Sequence, residues 1–156
     1  MHIRFQRTEV VNADPDRLWQ ILTSYETYPQ TNPLVTHVRV LHRDMHSAEV
    51  VADRKVFFEP HAHFFDTYAP SPLRQFERRY ANDKGMRSVW TVEPANGNRA
   101  YFTIVADADF PLVIGWLLRP LLARMFYRLN FPTFIRAAED APSKQALEEA
   151  MAIAGG

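Results

Sequence analysis

Cysteine is absent from the 156-residue sequence, glycine occurs only five times, and neither sign of charge is in excess. The lack of cysteine excludes disulfides, thiolate metal ligands and cysteine nucleophiles within this chain. Its 18 basic and 18 acidic side chains give a net charge of +0, whereas non-specific binding to nucleic acid needs a basic excess. We therefore expect no nucleic-acid partner.

The few glycines form no phosphate-binding loop, and the sequence contains no Gly-x-Ser-x-Gly nucleophile motif and no recognisable paired-acid motif. A nucleotide-dependent enzyme is thus not expected, and we predict no cofactor. Arg4 and Arg7 interrupt the start of the chain, where a signal peptide needs an unbroken apolar run. We therefore expect a cytoplasmic protein.

What the sequence does contain is the composition of an ordinary globular domain, with 47% hydrophobic and 23% charged residues. Its length suits a single core. We predict one ligand-binding domain over residues 1–140. A break follows at residues 141–144, so we treat residues 141–156 as a tail that can form a short helix.

The N-terminal pattern predicts a strand and then a short helix. Ile3 to Val11 alternates as a strand does. Asp14-Pro15-Asp16 then supplies a capping carboxylate, a first-turn proline and a second acid for the positive end of a helix that ends near Ser24. Pro29 and Pro33 limit the following segment to a turn or a single helical turn.

The middle of the chain predicts six further strands, because short runs rich in Val, Phe, Tyr and Thr alternate with turn residues. The connections are too short for parallel crossovers, so neighbouring strands are expected to be antiparallel. The six predicted strands are Thr36–His42, Ser47–Phe57, His61–Tyr68, Leu73–Tyr80, Arg87–Val92 and Arg99–Ala108.

Apolar spacings of three and four dominate Pro111 to Ala138, which predicts one long amphipathic helix. We place Gly115 in the loop that enters it and Pro120 at its first position, and we expect Pro132 to kink it or end its regular part. Together the elements predict an α+β fold in which a curved antiparallel sheet of seven strands wraps around a C-terminal helix. Such an arrangement leaves an elongated cavity suited to apolar small molecules.

Several short segments carry a resemblance to a known superfamily, namely residues 12–19, 25–29, 32–33, 38–41, 90–94 and 117–122. Over residues 1–140 the chain resembles the helix-grip domains of the START, birch-pollen-allergen and polyketide-cyclase superfamily. It is most similar to the coenzyme Q-binding and polyketide cyclase/dehydrase branch. The resemblance implies a helix-grip fold that binds lipids, quinones, polyketides or plant hormones, with cyclisation or dehydration in some members.

Histidines raise the question of a metal site. His61 and His63 share one face of a predicted strand, and His42 and His46 lie near a neighbouring turn. Spacing of two on a strand is common by chance and no carboxylate partner can be assigned, so we predict surface histidines and no metal.

Polar groups on the inner face of the sheet are the candidates for chemistry. Asp66 and Tyr68 share one face of a strand, and Arg78 shares a face with Phe76 on the next. An inward Asp66 and Arg78 must pair and mark the polar end of a pocket, whereas the alternative is that both point to solvent. The candidates for a general acid or base are Asp66, Tyr68 and His63.

We predict a protein that binds or carries an apolar or amphipathic small molecule between sheet and helix, with Asp66 and Arg78 as polar anchors. The alternative is a cyclase or dehydratase acting on a polyketide-like substrate, and a third possibility is an interaction module with a collapsed cavity and an exposed patch near Trp116. The predicted pocket wall consists of Phe64, Tyr68, Phe76, Trp90, Phe102, Ile104 and Phe126.

The C-terminal helix also carries four arginines, at positions 119, 124, 128 and 136, with no acid before Glu139. These side chains either keep the outer face of a central helix solvated or, together with Trp116, rest on an anionic membrane surface. The region of possible peripheral membrane contact is Phe110–Arg136. Its apolar run is too short to span a bilayer.

Overall fold

The computed structural model describes residues 1–55, 60–81 and 86–140. The N-terminal elements are strand β1 (His2–Val11), helix α1 (Pro15–Thr23), a 3-10 turn (Tyr25–Thr27) and the four-residue helix α2 (Tyr28–Thr31). The remaining elements are strands β2 (Val35–Arg43), β3 (Ser47–Arg54), β4 (His61–Tyr68), β5 (Arg74–Tyr80), β6 (Arg87–Ala95) and β7 (Arg99–Asp109), and helix α3 (Leu112–Asp140).

The seven strands form one antiparallel sheet in the order β1-β7-β6-β5-β4-β3-β2. The predicted meander and helix-grip fold are therefore confirmed. The predicted helix start is confirmed as well, since the Asp14 carboxylate accepts a hydrogen bond from the Asp16 amide at 2.8 Å with Pro15 at the first position. Strand β6 runs to Ala95 rather than Val92, and Gly97 takes the positive φ of 72° that the β6–β7 turn requires.

The structure corrects the predicted start of α3. Helix α3 begins at Leu112 and not at Pro120, because the Gly115 amide already donates to the Pro111 carbonyl at 2.8 Å. Gly115 is buried, and a Cβ at that position would lie 3.2 Å from Ile3 Cδ1. Glycine thus lets the helix approach β1 closely, because a Cβ would require the Ile3 side chain to move. Pro120 and Pro132 both lie inside the continuous helix, so Pro132 does not end it.

Strand β3 ends at Arg54, and residues 56 and 57 of the predicted strand lie outside the described residues, as do the predicted turn at 82–85 and the tail at 141–156. The proposed boundary at residue 140 stays a prediction. No helix within the described ranges is long and apolar enough to cross a membrane.

The concave face of the sheet is divided into two ends along the strands. Helix α1, the 3-10 turn and the second half of α3 cover the end where β1 finishes and β7 begins, with Phe131 and Phe134 buried there. The first half of α3 lies over the other end, where β7 finishes with two inward alanines, Ala106 and Ala108. Large side chains fill the first end, whereas small ones leave space at the second.

Candidate ligand-binding site

A buried ion pair joins β4 and β5 on the concave face. Asp66 and Arg78 are opposite each other in the strand register, and both are buried. Arg78 Nε donates to Asp66 Oδ1 at 2.8 Å, and one terminal nitrogen of the guanidinium donates to Asp66 Oδ2 at 2.8 Å. This two-point geometry matches a planar guanidinium to a carboxylate and offsets part of the cost of burying both charges.

Two tyrosines that follow α1 complete the network. The Tyr25 hydroxyl donates to Asp66 Oδ2 at 2.7 Å and also contacts the Tyr68 hydroxyl. The Tyr28 hydroxyl accepts from Arg78 at 3.2 Å and donates to the Leu22 carbonyl. Both oxygens of Asp66 are thus hydrogen-bonded, which a buried carboxylate requires.

Aromatic rings surround the guanidinium of Arg78. Its central carbon lies 4.1 Å from the ring centroid of Phe64, 4.8 Å from that of Trp90 and 5.2 Å from that of Phe76. The negative faces of these rings stabilise a desolvated cation. Burial by itself lowers the pKa of Arg78, but the adjacent Asp66 charge outweighs it, and the pKa lies well above its ordinary value.

The tyrosine hydroxyls are held in their neutral form. Burial raises the pKa of Tyr25 far above its ordinary value of 10.0, and the Asp66 charge raises it further. Burial likewise raises the pKa of Tyr28 and of Tyr68. Neutral phenols that hydrogen-bond an ionised carboxylate act as fixed donors and not as bases at neutral pH.

A cavity of about 740 Å³ lies at the opposite end of the concave face, between the sheet and α3. Such a volume is typical of small-molecule sites. Helix α3 contributes Leu122, Met125 and Leu129 to its wall, and Ala106 and Ala108 of β7 form part of its floor. The apolar lining is completed by Phe5, Pro60, Met86, Trp90, Phe110 and Phe126.

Few polar side chains reach this cavity. Ser88 Oγ accepts a hydrogen bond from the Trp90 indole at 2.9 Å, so the Ser88 hydroxyl can donate its own hydrogen to a ligand. Asn130 lines the opposite wall from α3, and its amide nitrogen donates to the Phe126 carbonyl at 2.9 Å. The remaining polar lining is Arg54, His61 and Tyr80.

The structure divides the predicted pocket residues into two groups. Trp90 and Phe126 line the cavity. The others lie at the filled end of the concave face, where they pack against one another or against the helices, and these are Phe64, Tyr68, Phe76, Arg78, Phe102 and Ile104. The reason is the position of α1 and the end of α3. They bring Trp19 within 5.7 Å of the Phe76 ring and Phe131 within 5.0 Å of the Phe102 ring, measured between ring centroids.

The predicted acid–base candidates do not come together. Asp66 and Tyr68 both contact Tyr25, but His63 lies on the outer face of β4 with its Nε2 2.8 Å from Glu49 Oε1. His61 is paired with Asp53 at 2.8 Å at the edge of the cavity. Within residues 1–55, 60–81 and 86–140, no group of three or more His, Cys, Asp or Glu side chains is arranged to hold a metal ion.

Sequence reasoning missed most of the cavity wall. The side-chain parity of β7 does place Ala106 and Ala108 inward, and two small residues opposite a helix are a signal for space. The helix residues Leu122, Met125 and Leu129 share a face at helical spacing, but nothing in the sequence says which stretch of α3 lies over the alanines. Tyr25 and Tyr28 were missed as partners of the ion pair because that contact is long-range.

Solved structures with the same architecture include an aromatase/cyclase. The Zhui aromatase/cyclase from Streptomyces sp. R1128 superposes with a TM-score of 0.73 at 16% identity, over 89% of this chain and 94% of that one. A START superfamily protein from Mycobacterium smegmatis gives 0.71 at 16% identity, over 90% and 99%. Truncated norcoclaurine synthase from Thalictrum flavum gives 0.74 at 8% identity, over 91% and 96%. At these identities the likeness establishes the fold alone.

The curved sheet that holds α3 defines a helix-grip domain of the START-like superfamily, as the sequence motifs predicted. The model of the family described as "Polyketide cyclase / dehydrase and lipid transport" matches residues 11–130, and the chain belongs to that family. A comparison with curated protein sequences gives no match.

Breaking the buried ion pair tests its structural role. Arg78→Met leaves the Asp66 carboxylate buried without its cation, and we expect the free energy of unfolding to fall by about 3–5 kcal/mol in urea titrations. The double variant Asp66→Leu, Arg78→Met removes both charges and should recover most of that loss. The control Arg79→Met removes an exposed arginine of the same strand and should change stability by less than about 0.5 kcal/mol. A double variant as unstable as Arg78→Met would contradict this account.

The raised pKa of Tyr25 predicts that this tyrosine does not ionise in the folded protein at a pH where exposed tyrosines do. The phenol stays protonated in the folded protein, so the stability it contributes is complete below its ordinary pKa of 10.0 and declines as the pH rises above that value. In absorbance titrations of the folded protein up to about pH 11, Tyr25→Phe should remove no tyrosinate signal. The same variant unfolded in urea should lose the signal of one tyrosine. A reduced signal in the folded variant would show that Tyr25 ionises in place.

Proposed function

We propose that this protein binds and carries an apolar or amphipathic small molecule in the cavity between the sheet and α3. The observation that carries the proposal is the cavity lining, in which Ser88 and Asn130 lie among apolar side chains from sheet and helix. Burying a ligand's apolar surface there yields about 25 cal/mol per Å². The two polar groups then orient the ligand and contribute less to its affinity.

The position of the ion pair also favours carriage. Asp66 and Arg78 satisfy each other and their tyrosine partners beneath α1, and neither lines the cavity. A general acid or base must reach the atom whose proton it transfers, within about 3 Å or through one water. The location of this ion pair outside the cavity lining therefore supports carriage rather than acid–base reaction with a ligand in the cavity.

A cyclase or dehydratase remains the second candidate, and one observation supports it. His61 and Tyr80 both border the cavity, so two titratable side chains can approach an occupant. The family to which the chain belongs includes both polyketide cyclases or dehydrases and lipid transport proteins. Chromatography with mass detection of a polyketide-like compound before and after incubation separates the two functions. Dehydration removes one water from the compound, cyclisation alone gives an isomer of the same mass with a different retention time, and carriage leaves both mass and retention time unchanged.

Filling the cavity tests the carriage proposal. Ala106→Phe places a ring in the floor, whereas the control Val105→Phe adds the same ring to the outer face of the same strand. With the neutral fluorescent probe N-phenyl-1-naphthylamine, we expect Ala106→Phe to weaken binding by about tenfold or more, since the ring displaces the ligand. The control should bind as the natural protein does. Equal binding by both variants, with thermal stability retained, would place the ligand elsewhere.

We further propose that the start of α3 contacts an anionic membrane surface during ligand exchange. Trp116 is 77% exposed, Val113 76% and Leu112 72%, and no described element covers them. Arg119 and Arg124 follow on the same helix, exposed to solvent. Apolar side chains followed by arginines suit the interface of a bilayer that contains anionic lipids.

Vesicle flotation tests this contact. Trp116→Ser with Leu117→Ser should reduce co-flotation with phosphatidylglycerol-containing vesicles by about tenfold, because it removes two exposed apolar side chains from the start of α3. The control Met45→Ser with Leu73→Ser removes two exposed apolar side chains outside α3. We expect the control to float as the natural protein does. Absence of flotation of the natural protein with any vesicle would refute the contact.

A further inference from the structure

A second space in the molecule adjoins the ligand cavity, with which it shares Phe5 and Phe126. It is a cleft of about 740 Å³ between β1 and the middle of α3, open along the edge of the sheet because β1 is an edge strand. Strand β1 contributes Arg4 and Arg7, and α3 contributes Arg119, Arg124 and Arg128. Five arginines thus line one cleft of a chain whose net charge is +0.

No described acidic side chain lines this arginine cleft. Arg7 is paired with Glu9 at 2.7 Å, and its guanidinium lies 3.5 Å from the ring centroid of Tyr127. Within the described part of the chain, Arg119, Arg124 and Arg128 form no ion pair. Positive charges that lie close together repel one another, so the three arginines of α3 that form no ion pair favour binding of an anion in the cleft.

The chemistry of the lining selects the anion. Each guanidinium presents a planar fork of donors that matches two oxygens of a carboxylate or a phosphate. An apolar floor lies beside these donors, since Phe126, Tyr127 and Phe131 also line the cleft. An amphiphile with an anionic oxygen group fits both features, whereas a free inorganic ion would use only one.

The cleft and the ligand cavity share a wall. Phe5 of β1 and Phe126 of α3 line both spaces, and their rings are stacked with centroids 6.0 Å apart and an interplanar angle of 17°. Both rings are half-buried, and they are the residues that separate the two spaces where these adjoin. One elongated molecule could then lie with its chain in the cavity and its charged end among the arginines.

We propose that the arginine cleft binds the carboxylate or phosphate group of an anionic amphiphile whose apolar part occupies the cavity. This assignment rests on the proposed function and names its ligand class. Phe5 and Phe126 form the passage between the two parts of the site. The arginines therefore determine which amphiphiles bind, while the cavity provides the apolar contact.

The test compares two probes with the same chain length but different head groups, the anionic carboxylate of dodecanoate and the neutral hydroxyl of dodecanol, in calorimetric titrations at one salt concentration. The double variant Arg124→Gln, Arg128→Gln should weaken dodecanoate binding by about tenfold or more, because each arginine supplies charge-assisted hydrogen bonds. Dodecanol binding should be unchanged. The control Arg39→Gln, Arg99→Gln removes the same charge from exposed arginines outside the cleft and should leave both affinities as they are.

The outcomes separate this assignment from the proposed function. Equal affinities for the two probes, with no effect of the cleft variant, would overturn the anion site and leave carriage intact. Failure of both probes to bind would contradict carriage and, with it, this assignment. If the cleft variant loses affinity for phosphatidylglycerol vesicles but keeps its affinity for dodecanoate, the arginines contact a bilayer and not the charged group of a bound ligand.

Discussion

The ion pair between Asp66 and Arg78 is the constraint on which the rest of the concave face depends. Two opposite charges can stay buried on adjacent strands only where their hydrogen-bonding groups are occupied, so the pair requires the tyrosines that follow α1. Those tyrosines in turn fix the position of the short helices over the sheet. The covered end fills with aromatic rings, and the cavity lies at the other end.

The division of the sheet follows from side-chain volume. Trp90 lies at the boundary, with Phe76 stacked on one side at 5.5 Å between ring centroids and the cavity on the other. Beyond it the inward positions of β7 are the alanines Ala106 and Ala108. An interior that packs closely elsewhere leaves a void only where small side chains face a helix held away from them. The aromatic end keeps the helix in place, and the alanines provide the space.

Local signals in the sequence predicted the fold, because each depends on neighbours along the chain. Asp14 and Pro15 mark a helix start because one caps the helix and the other suits its first position. The alternation of side chains along β4 places Asp66 and Phe64 on one face, regardless of how the strand pairs with its neighbours. The predicted start of α3 was wrong because Pro120, considered alone, suits the first position of a helix. In the structure the helix already begins at Leu112, and Gly115 lies close to Ile3, a residue more than a hundred positions away that no local pattern could connect to it.

The candidate site was predicted less well, for a related reason. Inward residues on the sheet could be identified from parity, but the part of the sheet that each helix covers is a tertiary property. Phe76 and Phe102 face inward as expected, yet Trp19 and Phe131 cover them. The alternation of side chains along a strand determines which face of the sheet a residue occupies. Whether that residue is accessible to a ligand depends on long-range contacts, which a short stretch of sequence does not reveal.

Successive parts of helix α3 have different environments in the structure. Its last turns carry Phe131 and Phe134 into the aromatic core, which provides stability. Its middle turns present Met125 and Leu129 to the cavity and Arg124 and Arg128 to the cleft. Its first turns expose Trp116 to solvent, with Gly115 as the buried contact to β1. The helix is therefore held near both ends, by Gly115 against β1 and by Phe131 and Phe134 in the aromatic core, while its middle turns border the cavity and the cleft.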